Sequence, residues 1–181
     1  MVAIDTVGAM VVRRLRLQRE RGRAFQPRFA SDEIVSAWLG AALAISALGL
    51  IGAWSHYPLV VAPFGASAVL LFGAPASPLA QPRNIVLGNT LGALVSTLCV
   101  LALGQQPWVM GVAVGLTIGL GQGLRCLHPP AGAVALLGVL LDARPAYVLS
   151  PILSGSVLLV LIAVLFHRLR PAAVPYPHHW L

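Results

Sequence analysis

Two short stretches carry the residue types best suited to chemistry in this chain. Pro63-Phe64-Gly65-Ala66-Ser67 and His128-Pro129-Pro130-Ala131-Gly132-Ala133 each put proline at the head of an apolar run, with glycine two positions after Pro63 and Pro130. Proline suits the first turn of a helix and biases the residue before it toward extended backbone. Each stretch therefore predicts an extended lead-in followed by a short helix, over 64–73 and 131–141. At 1.5 Å per residue such a helix is about 16 Å long, roughly half the thickness of a bilayer's hydrocarbon core. A helix N-terminus offers unpaired backbone donors and partial positive charge, and glycine lets a ligand approach the backbone. The chemistry this predicts is non-covalent capture of an anion. Its expected ligands are Phe64, Gly65, Ala66 and Ser67 from one stretch and His128, Pro129, Pro130, Gly132 and Ala133 from the other. The Ser67 hydroxyl adds a donor. The competing expectation is that proline and glycine merely kink packed helices.

Other polar residues are few. Arg83, Asn84 and Arg125 stand at the ends of the two stretches and predict a positive vestibule; the alternative for both arginines is an interfacial anchor. His128, with its near-neutral pKa, is the one core candidate for proton coupling, against a hydrogen-bonded packing role. Asn84, Asn89, Gln81 and Gln122 read as interhelical glue rather than substrate ligands. The acidic residues are Asp5, Glu20, Asp32, Glu33 and Asp142, so no carboxylate pair is available for acid–base work. There is no P-loop, HExxH or GxSxG run. The chain therefore reads as no enzyme, with no cofactor and no metal site; Cys99 and Cys126 form no ligand pattern and read as packing residues.

The elements that must position these residues follow from charge and hydropathy. Of 181 residues, 58% are hydrophobic and 9% charged, against roughly a quarter charged in a soluble domain. Seven arginines and two acids fall in residues 1–28, which leaves the body nearly uncharged and excludes nucleic acid as the partner. Runs of 49 and 41 residues without Asp, Glu, Lys or Arg separate Glu33, Arg83 and Arg125. A span needs about 20 apolar residues, so these runs hold several crossings of a lipid bilayer. The expected full spans are Ile34–Trp54, Asn84–Leu103, Trp108–Leu124 and Tyr147–Phe166. The Arg-rich start is expected to be a solvated arm rather than an in-plane amphipathic helix. Counting arginines near membrane ends places both termini in the cytoplasm, with the two broken segments crossing rather than re-entering. A multi-pass protein of the cell (inner) membrane is the expectation.

The broken segments also resemble each other. At an offset of 67, PFGASAVLL lies over PAGAVALLG with five identities in nine, and Ile85/Ile152, Gly88/Gly155, Leu91/Leu158, Leu94/Leu161 and Leu98/Leu165 match at helical spacing. Three crossings per repeat is an odd number, so the halves would be inverted, as in many secondary transporters. The expected fold is all-α integral membrane, a helical bundle of four full spans plus two broken half-helix segments in an inverted internal repeat. Its expected parts are a cytoplasmic Arg-rich arm (1–30), membrane repeat 1 (31–103), membrane repeat 2 (104–168) and a short C-terminal tail (169–181). The glycines at 111, 115, 119 and 123 are expected to pack inside one subunit, with a homo-oligomer as the alternative.

The run Leu127-His128-Pro129-Pro130-Ala131-Gly132-Ala133 resembles the signature of the HPP family of integral membrane proteins. So does Pro63–Phe72, with Ser77-Pro78-Leu79-Ala80-Gln81-Pro82-Arg83-Asn84 after it. The resemblance covers about residues 30 to 168. It implies passage of a small monovalent anion, nitrite first, because some members look like nitrite transporters; others carry a cytoplasmic regulatory domain. The alternatives are a channel for small neutral solutes and a membrane scaffold that transports nothing.

Overall fold

A computed structural model describes residues 2–25, 28–170 and 175–180. Among them there is no strand. The chain divides into two units, Met1–Val35 and Ser36–Leu181. In the first, α1 (Val2–Phe25) is a continuous helix whose surface is exposed from 10 to 22. The Ala30 N–H caps onto Glu33 Oε2 at 2.8 Å, just ahead of α2 (Ser31–Ser55).

The second unit is the membrane body. After α2 comes an extended lead-in and α3 (Pro63–Ala68), which continues as a π-helical turn over Val69–Gly73. A loop with a 3-10 turn at Pro78–Ala80 leads into α4 (Pro82–Leu103). The sequence α5 (Pro107–Gly123), second lead-in, α6 (Pro129–Leu140) then repeats that order. The last span begins with α7 (Pro145–Tyr147), kinks at Ser150 and runs on as α8 (Ser154–Leu169). The kink has a local cause: Pro151 pushes Ser150 to extended backbone, φ −138° and ψ 126°.

Among the described residues, three helices are long and apolar enough to cross a membrane, Ser31–Ser55, Pro82–Leu103 and Pro145–Leu169. The fourth expected span falls short of that length. With 17 residues, α5 reaches about 26 Å against about 30 Å of hydrocarbon. Both broken segments are present as short apolar helices, Pro63–Gly73 and Pro129–Leu140.

Packing exchanges partners between the halves. Ala44 and Leu48 of α2 and Phe64, Ala68, Leu71 and Phe72 of the α3 segment bury themselves against Leu159, Val160, Ala163 and Val164 of α8. Val109 and Ala113 of α5, with Ala135 and Val139 of α6, bury themselves against Val95, Cys99 and Val100 of α4. Each half's first two helices thus pack on the other half's last. The same exchange appears in close approach. A Cβ on Gly88 would lie 2.7 Å from the Cys126 carbonyl, and one on Gly155 would clash with the carbonyl of Leu59, the residue 67 positions before Cys126. Only glycine lets α4 and α8 touch the opposite lead-in this way. The glycines at 111, 115, 119 and 123 do not pack inside the subunit as expected; they line the outer face of α5 with nothing within 4 Å of where a Cβ would stand. The register explains this, because the inward stripe of α5 is Val109, Ala113, Thr117 and Gly121.

Candidate functional site

The two half-helices cross near their N-termini. Ser67 Oγ lies 2.8 Å from His128 Nε2, while Val61, on the lead-in to α3, packs into the cluster that holds Val134 of α6. Position rises along one segment as it falls along the other, so the segments run antiparallel. Burial follows the same symmetry. Residues 62–73 and 129–140 are buried, half-buried or exposed in step at an offset of 67, apart from Gly65 against Gly132. In both, Ala66 and Ala133 face outward with their neighbouring glycines, and Pro63 and Pro130 face inward. Asn89 Nδ2 donates to Ser156 Oγ at 3.2 Å, and these two residues are themselves 67 apart.

The expected backbone donors are not free at the helix starts. The Phe64 and Gly65 N–H groups bond the Val61 and Ala62 carbonyls at 2.9 and 3.1 Å, and Ala131 N–H bonds the His128 carbonyl at 2.9 Å. Pro129 and Pro130 have no N–H to offer. The lead-in carbonyls have closed the first turn on themselves, which extends each helix backward and uses its donors. Free donors lie one step earlier: among the described residues, the N–H groups of Leu59, Val60 and Val61 have no partner. Beside them is an open groove of about 460 Å³ lined by Leu48, Gly52, His56, Tyr57, Leu59 and Val60.

Ser67 does not offer its hydroxyl to a ligand either. A carbonyl can only accept, so His128 Nδ1 donates to Leu79 O at 2.9 Å, and Nε2 then accepts the Ser67 O–H. His128 is 2% exposed and both its ring nitrogens are engaged.

Arg83 and Asn84 join the second lead-in to the start of α4. Arg83 Nη2 donates to Leu124 O at 3.0 Å and Asn84 Nδ2 to Leu127 O at 2.8 Å. Arg83 Nε is buried without a partner among the described residues. Arg125 is exposed and sits beyond the end of α5 at φ 55°, where the Cys126 N–H reaches back to Gly121 O at 2.9 Å. His56 occupies the same place after α2, φ 57°, with Tyr57 N–H on Gly52 O at 3.2 Å. Both are left-handed helix ends closed by a six-to-one hydrogen bond. The vestibule residues therefore divide: Arg83 and Asn84 bind the opposite lead-in, whereas Arg125 shapes a turn.

Sequence reasoning missed Leu79 and the C-terminal tail as parts of this region, and read Gln81 as interhelical glue, whereas its side chain donates to Pro75 O and Ser77 O of its own loop. Tyr176 O–H donates to Ala80 O at 3.0 Å, and His178 N–H to Gln81 Oε1 at 2.9 Å. Tyr176 is buried, and the His167 ring lies between Phe72 and Tyr176. The available signal was an aromatic residue between two prolines, Pro175-Tyr176-Pro177. Among the described residues no group of three or more His, Cys, Asp or Glu could hold a metal ion.

Paired proline-led half-helices inside apolar helices define the class, a multi-pass all-helical membrane protein. Residues 26–177 match the family model described as HPP, transmembrane region, and the chain belongs to that family. Two transmembrane proteins of Dictyostelium discoideum are similar to it, at 38% and 36% identity, each over 82% of this chain. The match covers 56% and 51% of those proteins, so the chain spans about half the length of the curated relatives it matches. No solved structure matches at a significant level.

Proposed function

We propose that the protein passes a small monovalent inorganic anion, nitrite first, through the region where the two half-helices cross. The observation that carries this reading is the antiparallel crossing of two proline-led half-helices beside unpaired backbone donors. Irregular backbone with unmet N–H groups is tolerated at membrane depth only where it borders protein or water, and the Leu59–Val61 stretch borders an open groove. Both half-helix dipoles point their positive ends at the crossing, and Arg83 brings a buried cationic donor. Each of these favours an anion over a cation. The site expected at the first-turn N–H groups moves accordingly, to the lead-in donors of Leu59, Val60 and Val61 and the outward small face of Gly65, Ala66, Gly132 and Ala133. Nitrite itself is supported by the family resemblance alone.

The architecture reads best as an inverted repeat, supported by the burial match, the partner exchange and the Asn89–Ser156 contact at the repeat offset. The excess of arginine in 1–28 supports a cytoplasmic N-terminus, and six crossings bring the C-terminus to the same side. Purified protein in liposomes is expected to carry nitrite, and Gly65→Leu with Gly132→Leu to abolish the flux by filling the outward face. Unchanged uptake in the double variant overturns the site. Potential-insensitive flux of a neutral solute without anion current overturns the substrate class.

A further inference from the structure

The two halves are related by sequence offset, yet their lead-ins are tied down very differently. All but one of the side-chain ties to the lead-ins belong to one junction. Ser67, Arg83, Asn84 and His128 have Val134, Ser150, Pro151 and Val61 at the equivalent positions. The second lead-in is accordingly held at three points: Leu124 O by Arg83, Leu127 O by Asn84, and the His128 ring between Ser67 and Leu79 O. In the first lead-in only Ser150 Oγ, on Pro58 O at 2.9 Å, remains of that set. The carbonyl of Val60, equivalent to Leu127, has no donor among the described residues, and Val60 is 42% exposed on the open groove. Proline at 151 cannot supply the missing bond, so this asymmetry is written into the side chains. It is not one phase of a symmetric exchange.

The closed junction is itself held from outside. Leu79, which accepts from His128, lies in the 3-10 turn Pro78–Ala80. The next two residues, Ala80 and Gln81, are the ones the tail grips through Tyr176 O–H and the His178 N–H. Gln81 in turn braces its own loop through Pro75 O and Ser77 O. A continuous set of bonds thus runs from the tail through the turn to His128 and Ser67.

From these contacts we infer that the pathway has one gate, the Arg83–Asn84–His128 junction, and that the 175–180 tail is a strap holding it shut, while the groove at the first lead-in stays open. The inference rests on the transport reading above. It makes the protein a gated channel rather than a carrier whose two sides open in turn.

Cys126, buried in the tied lead-in, is a native reporter. In a Cys99→Ala background, a membrane-impermeant anionic methanethiosulfonate, of the charge the pathway favours, is applied to each face of proteoliposomes. A Val60→Cys reporter, with both native cysteines replaced by alanine, serves the groove. The expected result is rapid labelling of Val60→Cys from the face opposite the tail and protection of Cys126 from both faces. Asn84→Leu and Tyr176→Phe should each raise Cys126 labelling from the tail face about tenfold, the effect of removing one buried hydrogen bond, and leave Val60→Cys unchanged. Cys126 remaining protected in both variants overturns the gate. A fall in Val60→Cys labelling as Cys126 opens also overturns it, because that is alternation. If Asn84→Leu, made separately in a Cys126→Ala background that keeps Cys99, exposes the buried Cys99 as well, it has loosened the fold, and Tyr176→Phe, which deletes one hydroxyl, decides. Labelling needs no substrate. An opened Cys126 without nitrite flux above the wild-type level therefore sinks the transport reading and leaves the gate, whereas a rise in nitrite flux in either variant with Cys126 still protected does the reverse.

Discussion

The lead-in at 56–62 and the lead-in at 125–129 follow the same kind of helix end, left-handed at His56 and at Arg125, and enter the same kind of proline-led helix. One is two residues longer, lies open along a groove and keeps unpaired N–H groups; the other buries Cys126 and His128 and is bonded to three opposing side chains. A shared backbone plan therefore does not produce a shared environment. Four side-chain differences at equivalent positions are enough to close one end of the crossing and leave the other open.

The largest expected effect tests what the halves share. Gly88→Ala and Gly155→Ala each force a methyl group into a backbone carbonyl of the opposite lead-in, and each should cost about 2–3 kcal/mol of stability in detergent denaturation. Equal losses sharpen the repeat; a loss at one position alone breaks it. A smaller effect is expected where the halves differ. Ser67→Val, which copies Val134, leaves His128 Nε2 unpaired and should cost about 1–3 kcal/mol. Adding His128→Val, which copies Val61, should recover part of that loss, with a coupling of about 1 kcal/mol in the double-mutant cycle. Strict additivity would show that the bond contributes nothing. Arg83→Ser copies the other half at a more exposed tie, so its cost should stay near 1 kcal/mol while anion flux changes more than stability. Least of all, Gly115→Ala, with open space around it, should stabilise α5 by up to about 0.8 kcal/mol. A loss there would show that a neighbour covers the stripe.

How much of this was legible follows from particular residues. The half-helices were readable at Pro63 and Pro130, because proline constrains its neighbours locally. The matched close approaches were readable at Gly88 and Gly155, because helix packing selects glycine where backbones touch. His56 and Arg125 could not be matched, since two extra residues in the first lead-in shift the offset between them from 67 to 69. The Ser67–His128 bond joins residues 61 apart, and no local pattern reports such a partner. The first-turn donors were misjudged for a related reason. Whether Gly65 N–H is free depends on where the Ala62 carbonyl points, and that is set by the fold around it.

By itself, then, the sequence determined the apolar helices, their approximate limits, the two proline-led breaks and the family, because hydropathy, proline and glycine act through the local backbone. Tertiary structure alone decided which lead-in is tied, which donors remain free and where the tail binds. Those outcomes depend on which side chains of the opposite half reach a given carbonyl, and only the packed helices bring them within hydrogen-bond distance.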